Sequence, residues 1–527
     1  MRLKPYFLLL VWLLNLPVNA QHRTDIPMSD DEAWWGGATA LGSVMPFTSL
    51  KPFDLSCENA NNQVSSLLVS SHGRCLWSDR PFKFSVSNDT IHIDSRYETV
   101  KVEKPGTTLR EAYLAMARRH FAPDGLLPDT LFFSRPQYNT WIELMYNQNQ
   151  HDILAYARQI RDNGLPPGIL MIDDNWQRYY GNFDFKRERF PDPRAMVDSL
   201  HRQGFKVMLW ISPFVTADSP EYRALAKEGL LLRDTSGQPT IIRWWNGQSA
   251  CFDLTNPASL DYLERTLRDM MAQYGIDGFK FDGGDNTFYD RPDLRPHRAE
   301  ALSVDQTRGW AELGCRFRFN EYRACWQKGG RPLVQRLGDK EYSWDAVRRL
   351  IPDMMAAGLL GYAYACPDMI GGGSFESFLQ IETDKFDQEL IVRSAQVHAL
   401  MPMMQFSVAP WRILSARNMD IIRSAAHLHM LKAPYILECA RRSASTGEPI
   451  VRSLEYEFPH RGYTDVKDEF MIGSRLLVAP MTTRGTSRTI ILPPGRWKDD
   501  QGRILRGGRT VTQAVPLDRL PYFERLK

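Results

Sequence analysis

Between Thr140 and Phe406, short apolar runs of strand length alternate with amphipathic helical segments, and this alternation constrains the fold more than any other feature of the chain. A strand followed by a helix, repeated, builds a parallel sheet with its helices outside. The expected strands are Trp141–Tyr146, Gly168–Ile172, Lys206–Ile211, Gly278–Phe281, Phe319–Cys325, Leu333–Leu337, Leu360–Ala365 and Leu400–Met404. The fifth of these also reads as a continuation of the helix before it. Asp152 is expected to cap a helix bearing Ile153, Leu154, Ala157 and Ile160, and Asn256-Pro257 to open one bearing Leu263, Leu267 and Met271. Eight strand–helix repeats over roughly 270 residues predict an α/β fold of the TIM (β/α)8 barrel type.

The flanks have a different texture. Runs such as Phe82-Lys-Phe-Ser-Val-Ser and Ile91-His-Ile alternate with period two, as do segments after about Glu448, including Arg475-Leu-Leu-Val-Ala and Thr489-Ile-Ile-Leu. The expected organisation is a short N-terminal β-rich domain over 21–125, the barrel over 126–445, and a C-terminal all-β, sandwich-like domain over 446–527. Ahead of these, Arg2 and Lys4 precede an apolar run from Tyr6 to Leu14, followed by Val18-Asn19-Ala20. That is the pattern of a cleavable signal peptide over 1–20, with an uncleaved anchor as the alternative. The mature chain is then expected to start near Gln21 and to be periplasmic or secreted, with no integral membrane span after cleavage.

Composition removes several classes of function. Apolar residues make up 43% and charged residues 24%, an ordinary globular balance. Lys plus Arg exceeds Asp plus Glu by 65 − 62 = +3, without long like-charge blocks, so no nucleic-acid partner is expected. The 7 Cys are an odd number scattered along the chain, with Cys57 and Cys75 the one candidate pair. No CxxC, HExxH or His/Cys cluster occurs, so neither a metal nor another cofactor is expected. Oligomeric state is not legible.

Function in such a barrel sits at the C-terminal ends of the strands. There the chain reads Ile172-Asp173-Asp174-Asn175-Trp176, Phe281-Asp282-Gly283-Gly284-Asp285, Leu337-Gly338-Asp339 and Pro367-Asp368-Met369, with Gly371-Gly372-Gly373 following. One acid after one strand is more often a helix cap. Four such tips together point to paired carboxylates, which glycosidic bond cleavage requires: one to protonate the leaving oxygen, one to attack the sugar. No GxSxG elbow, Walker loop or GxGxxG spacing supports acyl or phosphoryl chemistry.

Gly278-Phe-Lys-Phe-Asp282, Arg336-Leu-Gly-Asp339 with Trp344, Pro367-Asp-Met-Ile-Gly-Gly372 and Gly447-Glu-Pro-Ile-Val-Arg452 resemble glycoside hydrolase family 31. Ile172–Trp176, Arg243-Trp-Trp-Asn-Gly247 and Met401–Ser407 are similar to its myogenesis-regulating glycosidase branch. The resemblance implies a retaining α-glycosidase acting on an oligosaccharide or glycoside, with Asp282 as nucleophile and Asp339 as general acid/base. It further implies that Arg323, Asp368, Trp245, Lys280 and one or both of Asp173 and Asp174 line the sugar site.

Physical alternatives stand beside these roles: a structural salt bridge for Lys280, an interior ion pair for Arg323, plain packing for Trp245. Lys280 shares a strand face with Asp282 and is expected to help keep it ionised, whereas Asp339 needs burial or a like-charged neighbour to hold a proton. Where α-glucosidases of the family carry Met-Arg-x-His, this chain reads Met404-Gln405-Phe406-Ser407. Losing both donors argues against a glucose-shaped site, and Gln405 is the candidate to meet a different stereochemistry. The resemblance to the myogenesis-regulating branch implies an α-galactosidase, with α-glucosidase, α-xylosidase and a catalytically silent carbohydrate-binding protein as alternatives. A barrel lyase or isomerase for sugar acids is a further alternative, but it would need a metal or a Lys/His base.

Overall fold

The computed structural model describes residues 21–57, 62–379, 381–382 and 385–526; the expected signal peptide over 1–20 lies outside the described residues. At its centre is an eight-stranded parallel sheet made of β1 (Gln137–Asn139), β2 (Ile169–Ile172), β3 (Lys206–Ile211), β4 (Gly278–Phe281), β5 (Phe319–Tyr322), β6 (Gln335–Arg336), β7 (Ala365–Cys366) and β8 (Gln405–Phe406). Its order is β7-β6-β5-β4-β3-β2-β1-β8, a barrel closed except between β7 and β8. There the loop after β7 takes over, with Ile370 N–H donating to the Gln405 carbonyl at 2.8 Å. This is the predicted TIM barrel.

Several expected strands move. Trp141–Tyr146 is not β1: Trp141–Leu144 forms a helical turn, and the strand precedes it at Gln137–Asn139. β8 likewise follows the apolar run Leu400–Met404, and β7 occupies only the end of Leu360–Ala365 and the next residue. Both displaced end strands carry Gln at inward positions, so the apolar runs beside them are not the strands themselves. Phe319–Cys325 breaks after Tyr322, and Cys325–Trp326 pairs in parallel with Gln63 and Val64 of the N-terminal region. Asn149, not Asp152, caps the helix Gln150–Asp162: its side chain accepts from Asp152 N–H, leaving Asp152 in the first turn. Asn256 caps Pro257–Tyr274 as expected.

The N-terminal region contributes an antiparallel sheet of His22–Pro27, Thr90–Ser95, Lys83–Ser87 and Leu50–Asp54. A second sheet is centred on Gln63–Ser70, whose eight residues are all buried. Cys75 lies in that sheet as a free buried thiol, so the candidate bridge to Cys57 is not made. After the barrel, the helix Ala416–Thr446 ends at Gly447, which takes the left-handed conformation, and the chain passes into a six-stranded antiparallel sheet and the hairpin Ser487–Leu492/Arg509–Ala514. Among the described residues no helix is long and apolar enough to cross a membrane.

Candidate active site

The residue after β4 is Asp282. Its N–H extends the ladder by donating to the Ile211 carbonyl at 2.8 Å, which fixes the carboxylate at the barrel mouth. Oδ2 accepts from Trp210 Nε1 at 2.7 Å, Oδ1 accepts from Gly283 N at 2.9 Å, and Arg323 Nη1 stands 3.5 Å from Oδ1. The chain then turns sharply through Gly284 at φ 75°, where a Cβ would come within 2.5 Å of the Trp310 ring. Burial favours a protonated Asp282, but Arg323, Lys280 and Arg336 outweigh it and hold the carboxyl below the usual range. A buried, ionised carboxylate with both oxygens held is suited to attack on carbon.

Asp339 follows β6, with its side chain 34% exposed. Its Oδ1 accepts from Arg336 Nη1 at 2.7 Å. Burial would raise its pKa, but Arg336, Arg323 and Lys280 prevail and hold it low. The expectation that burial or a like-charged neighbour raises the Asp339 carboxyl is therefore corrected, because a guanidinium in direct contact outweighs both. Arg336 is a contact that sequence reasoning missed, although its position three residues before Asp339, at the end of β6, is a readable signal.

Both carboxylates open on one cavity of about 610 Å³, whose wall also contains Asp173, Asp174, Lys280, Arg323, Trp210 and Trp245. Lys280 Nζ donates to Asp173 Oδ2 at 2.6 Å, with both side chains buried. Lys280 thus has the salt-bridge partner that sequence left open, while its charge still favours ionised Asp282. Asp174 Oδ2 accepts from Asn246 Nδ2 at 2.7 Å and from Tyr180 Oη at 3.2 Å, while Oδ1 has no hydrogen-bond partner among the described residues. Burial, with Asp173 adding to it, pushes the Asp174 carboxyl up to about 7. Trp245 is 44% exposed and lies under the Arg323 guanidinium at 4.8 Å, so it is not a core residue. Trp141, Tyr146, Phe288, Phe375 and Glu376 complete the rim.

Two expected binding residues are not in the cavity wall. Gln405 is fully buried, and its Nε2 donates to Glu321 Oε2 at 2.7 Å and Gln137 Oε1 at 3.1 Å. Its amide serves the ion network inside the barrel instead of reaching a sugar. Asp368 is also fully buried, gripped by Arg336 Nη1 at 2.8 Å and by the N–H groups of Lys340 and Gly373 at 2.9 and 3.1 Å.

Sequence reasoning also missed Trp210, the in-register partner of Lys280 across β3 and β4. Nor did it find Asn62 and Gln63. Asn62 Oδ1 accepts from Gly338 N at 2.5 Å, and Gln63 Nε2 donates to the carbonyls of Arg323 and Arg336 at 2.6 and 3.0 Å. The short N-terminal domain therefore buttresses the loops that present Arg323 and Asp339. Among the described residues, no group of three or more His, Cys, Asp or Glu could hold a metal ion.

Residues 133–439 match the TIM-barrel domain of glycosyl hydrolases family 31, and residues 447–526 match the C-terminal domain of that family. The chain belongs to glycosyl hydrolase family 31. It is 32% identical over 434 residues to the myogenesis-regulating glycosidase of Mus musculus, covering 79% of this chain and 60% of that protein. It is 27% identical to an alpha-xylosidase of Emericella nidulans, covering 74% of this chain and 52% of the relative. The chain thus spans a little over half the length of these curated relatives. Among solved structures, the fold matches a Flavobacterium johnsoniae dextranase of the same family complexed with glucose, at TM-score 0.84 and 21% identity over 96% of this chain and 67% of that one. It also matches an alpha-xylosidase from a soil metagenome complexed with xylose, at TM-score 0.83 and 22% identity over 96% of this chain and 79% of that one.

Proposed function

We propose that the protein is a retaining α-glycosidase that removes a terminal, non-reducing α-linked sugar by double displacement. The observation that carries this reading is the pair Asp282 and Asp339 in one cavity, the first held ionised by Arg323 and Lys280. In the first step an Asp282 oxygen bonds to the anomeric carbon as the glycosidic C–O bond breaks, and Asp339 passes its proton to the leaving oxygen. In the second, Asp339 takes a proton from water, the water oxygen bonds to the anomeric carbon, and the ester to Asp282 breaks. Two inversions leave the product in the α configuration.

The cavity wall carries carboxylates at Asp173, Asp174, Asp282, Asp339 and Glu376 against the cations Lys280 and Arg323. That excess suits a neutral sugar and disfavours uronic or sulfonated ones. For the sugar itself the reading is α-galactosyl. Strand β8 offers no Arg or His, Gln405 is committed to Glu321, and Asp174 Oδ1 remains to receive a hydroxyl. An axial 4-hydroxyl leaves one ring face apolar, which suits the aromatic rim. The reading rests on this stereochemical argument together with the resemblance to the myogenesis-regulating branch.

The test is kcat/KM for matched aryl α-galactoside, α-glucoside and α-xyloside. The galactoside is expected to lead by at least about tenfold. Faster glucoside or xyloside cleavage removes the sugar assignment and leaves the mechanism. Asp339→Ala should retain activated leaving groups and be rescued in part by azide; equal loss with good and poor leaving groups would remove its acid/base role.

A further inference from the structure

Arg336 has two carboxylates on one nitrogen. Nη1 donates to Asp339 Oδ1 at 2.7 Å and to Asp368 Oδ1 at 2.8 Å, and the guanidinium is fully buried. Asp368 has no freedom to leave. It sits at φ 74°, a left-handed backbone rarely used by a residue with a side chain, held there by Lys340 and Gly373 N–H on Oδ2. Gly373, the last of the glycine run after Asp368, has a steric reason. A Cβ at Gly373 would lie 2.7 Å from Asp339 Oδ1 and 2.8 Å from Asp368 Oδ1, so only glycine lets that loop close over both.

Two carboxylates share one guanidinium at this spacing, so its position sets the proton affinity of each. We propose that Asp368 and Arg336 are a positioning pair that decides when Asp339 carries its proton: Asp368 stays ionised throughout, and Asp339 holds a proton while the guanidinium is drawn to Asp368 and does without one while the guanidinium is shared with it. This rests on the reading of Asp339 as general acid/base. In the first chemical step Asp368 keeps Arg336, and Asp339 holds the proton it delivers to the leaving oxygen. The resulting Asp339 carboxylate gains Arg336 until it takes a proton back from water. No other proton donor enters the cycle.

Asp339 faces Arg336, Arg323 and Lys280 as cations and Asp282, Asp285 and Asp368 as acids. Asp368 faces Arg336, Lys340 and Asp339, with the Cys366 thiol beside its carbonyl. With Arg336 shared as the structure has it, burial and Asp339 push the Asp368 carboxyl up to about 6 and Arg336 draws Asp339 down, so the shared arrangement is the one in which Asp339 is ionised, and Asp339 gains its proton as the guanidinium shifts to Asp368. The far side of Arg336 meets Glu321 at 3.5 Å, which anchors the guanidinium during the exchange.

The test is the pH profile of kcat/KM on substrates of graded leaving-group ability. Asp368→Asn cannot ionise, so Arg336 is left to Asp339 alone. The basic limb is expected to move to lower pH by about one unit or more, with a larger loss for poor leaving groups than for activated ones. Arg336→Gln removes the cation and should move the same limb upward. A structural role alone would not give opposite signs. If the Asp368→Asn limb stays put or rises, or if both variants shift the same way, the proposal is overturned; if Arg336→Gln does not fold, Asp368→Asn decides alone. Asp339→Ala, measured alongside, separates the two failures. A variant insensitive to the leaving group sinks the acid/base reading, whereas a sensitive one with an unmoved Asp368→Asn limb sinks only the positioning pair.

Discussion

Lys280→Met is the substitution whose cost follows most directly from the structure. Lys280 Nζ is 2.6 Å from Asp173 Oδ2, with side chains 5% and 3% exposed. Water cannot replace the lost ammonium, so the variant buries an uncompensated carboxylate. Breaking such a pair from one side costs about 3–5 kcal/mol. Asp173→Asn added to it removes the stranded charge, so the double variant should recover about 2–3 kcal/mol of that loss. The assay is urea unfolding of wild type, both single variants and the double variant, followed by tryptophan fluorescence at pH 7. A deficit below about 1 kcal/mol, or one equally large in the double variant, would refute the assignment of this pair as a desolvated ion pair; about 1 kcal/mol is the ceiling for exposed pairs.

Other consequences are as direct. Burial pushes Asp174 up to about 7, so the folded state keeps a proton that the unfolded chain releases near pH 4. Stability from that proton is complete below about pH 4 and is lost as pH rises toward 7. Asp174→Asn should therefore flatten the fall in melting temperature between pH 4 and pH 7, and an unchanged slope would contradict it. Gln63→Ala removes two hydrogen bonds to the carbonyls behind Arg323 and Arg336, and kcat/KM should drop by about tenfold with unchanged circular dichroism. Expression in a secreting host followed by N-terminal sequencing should give a mature start near Gln21; an intact Met1 in the exported fraction would contradict the signal peptide.

The parts of the fold legible in the sequence were those where strand interiors are apolar. β3 and β4 carry Val207, Leu209, Phe279 and Phe281 and fall where periodicity places them. β1, β6 and β8 were shifted or shortened because their inward residues are Gln137, Arg336 and Gln405, a polar layer beneath the site. A pattern search for apolar runs skips such strands and settles on the apolar segments beside them. The acids of the site were legible because they follow apolar strands directly. The roles of Arg336, Asp368 and Gln63 were not, since each depends on contacts between segments far apart in the chain.

The central claim is that Asp282 forms a covalent bond to the sugar. Incubation with a 5-fluoro-α-glycosyl fluoride, which slows hydrolysis of the intermediate, followed by proteolysis and mass spectrometry, tests it directly. The account predicts one added glycosyl mass, located on the peptide containing Gly278–Asp282 and absent in Asp282→Asn. Label on any other residue, or turnover of an α-glycoside by Asp282→Asn at the wild-type rate, would contradict it.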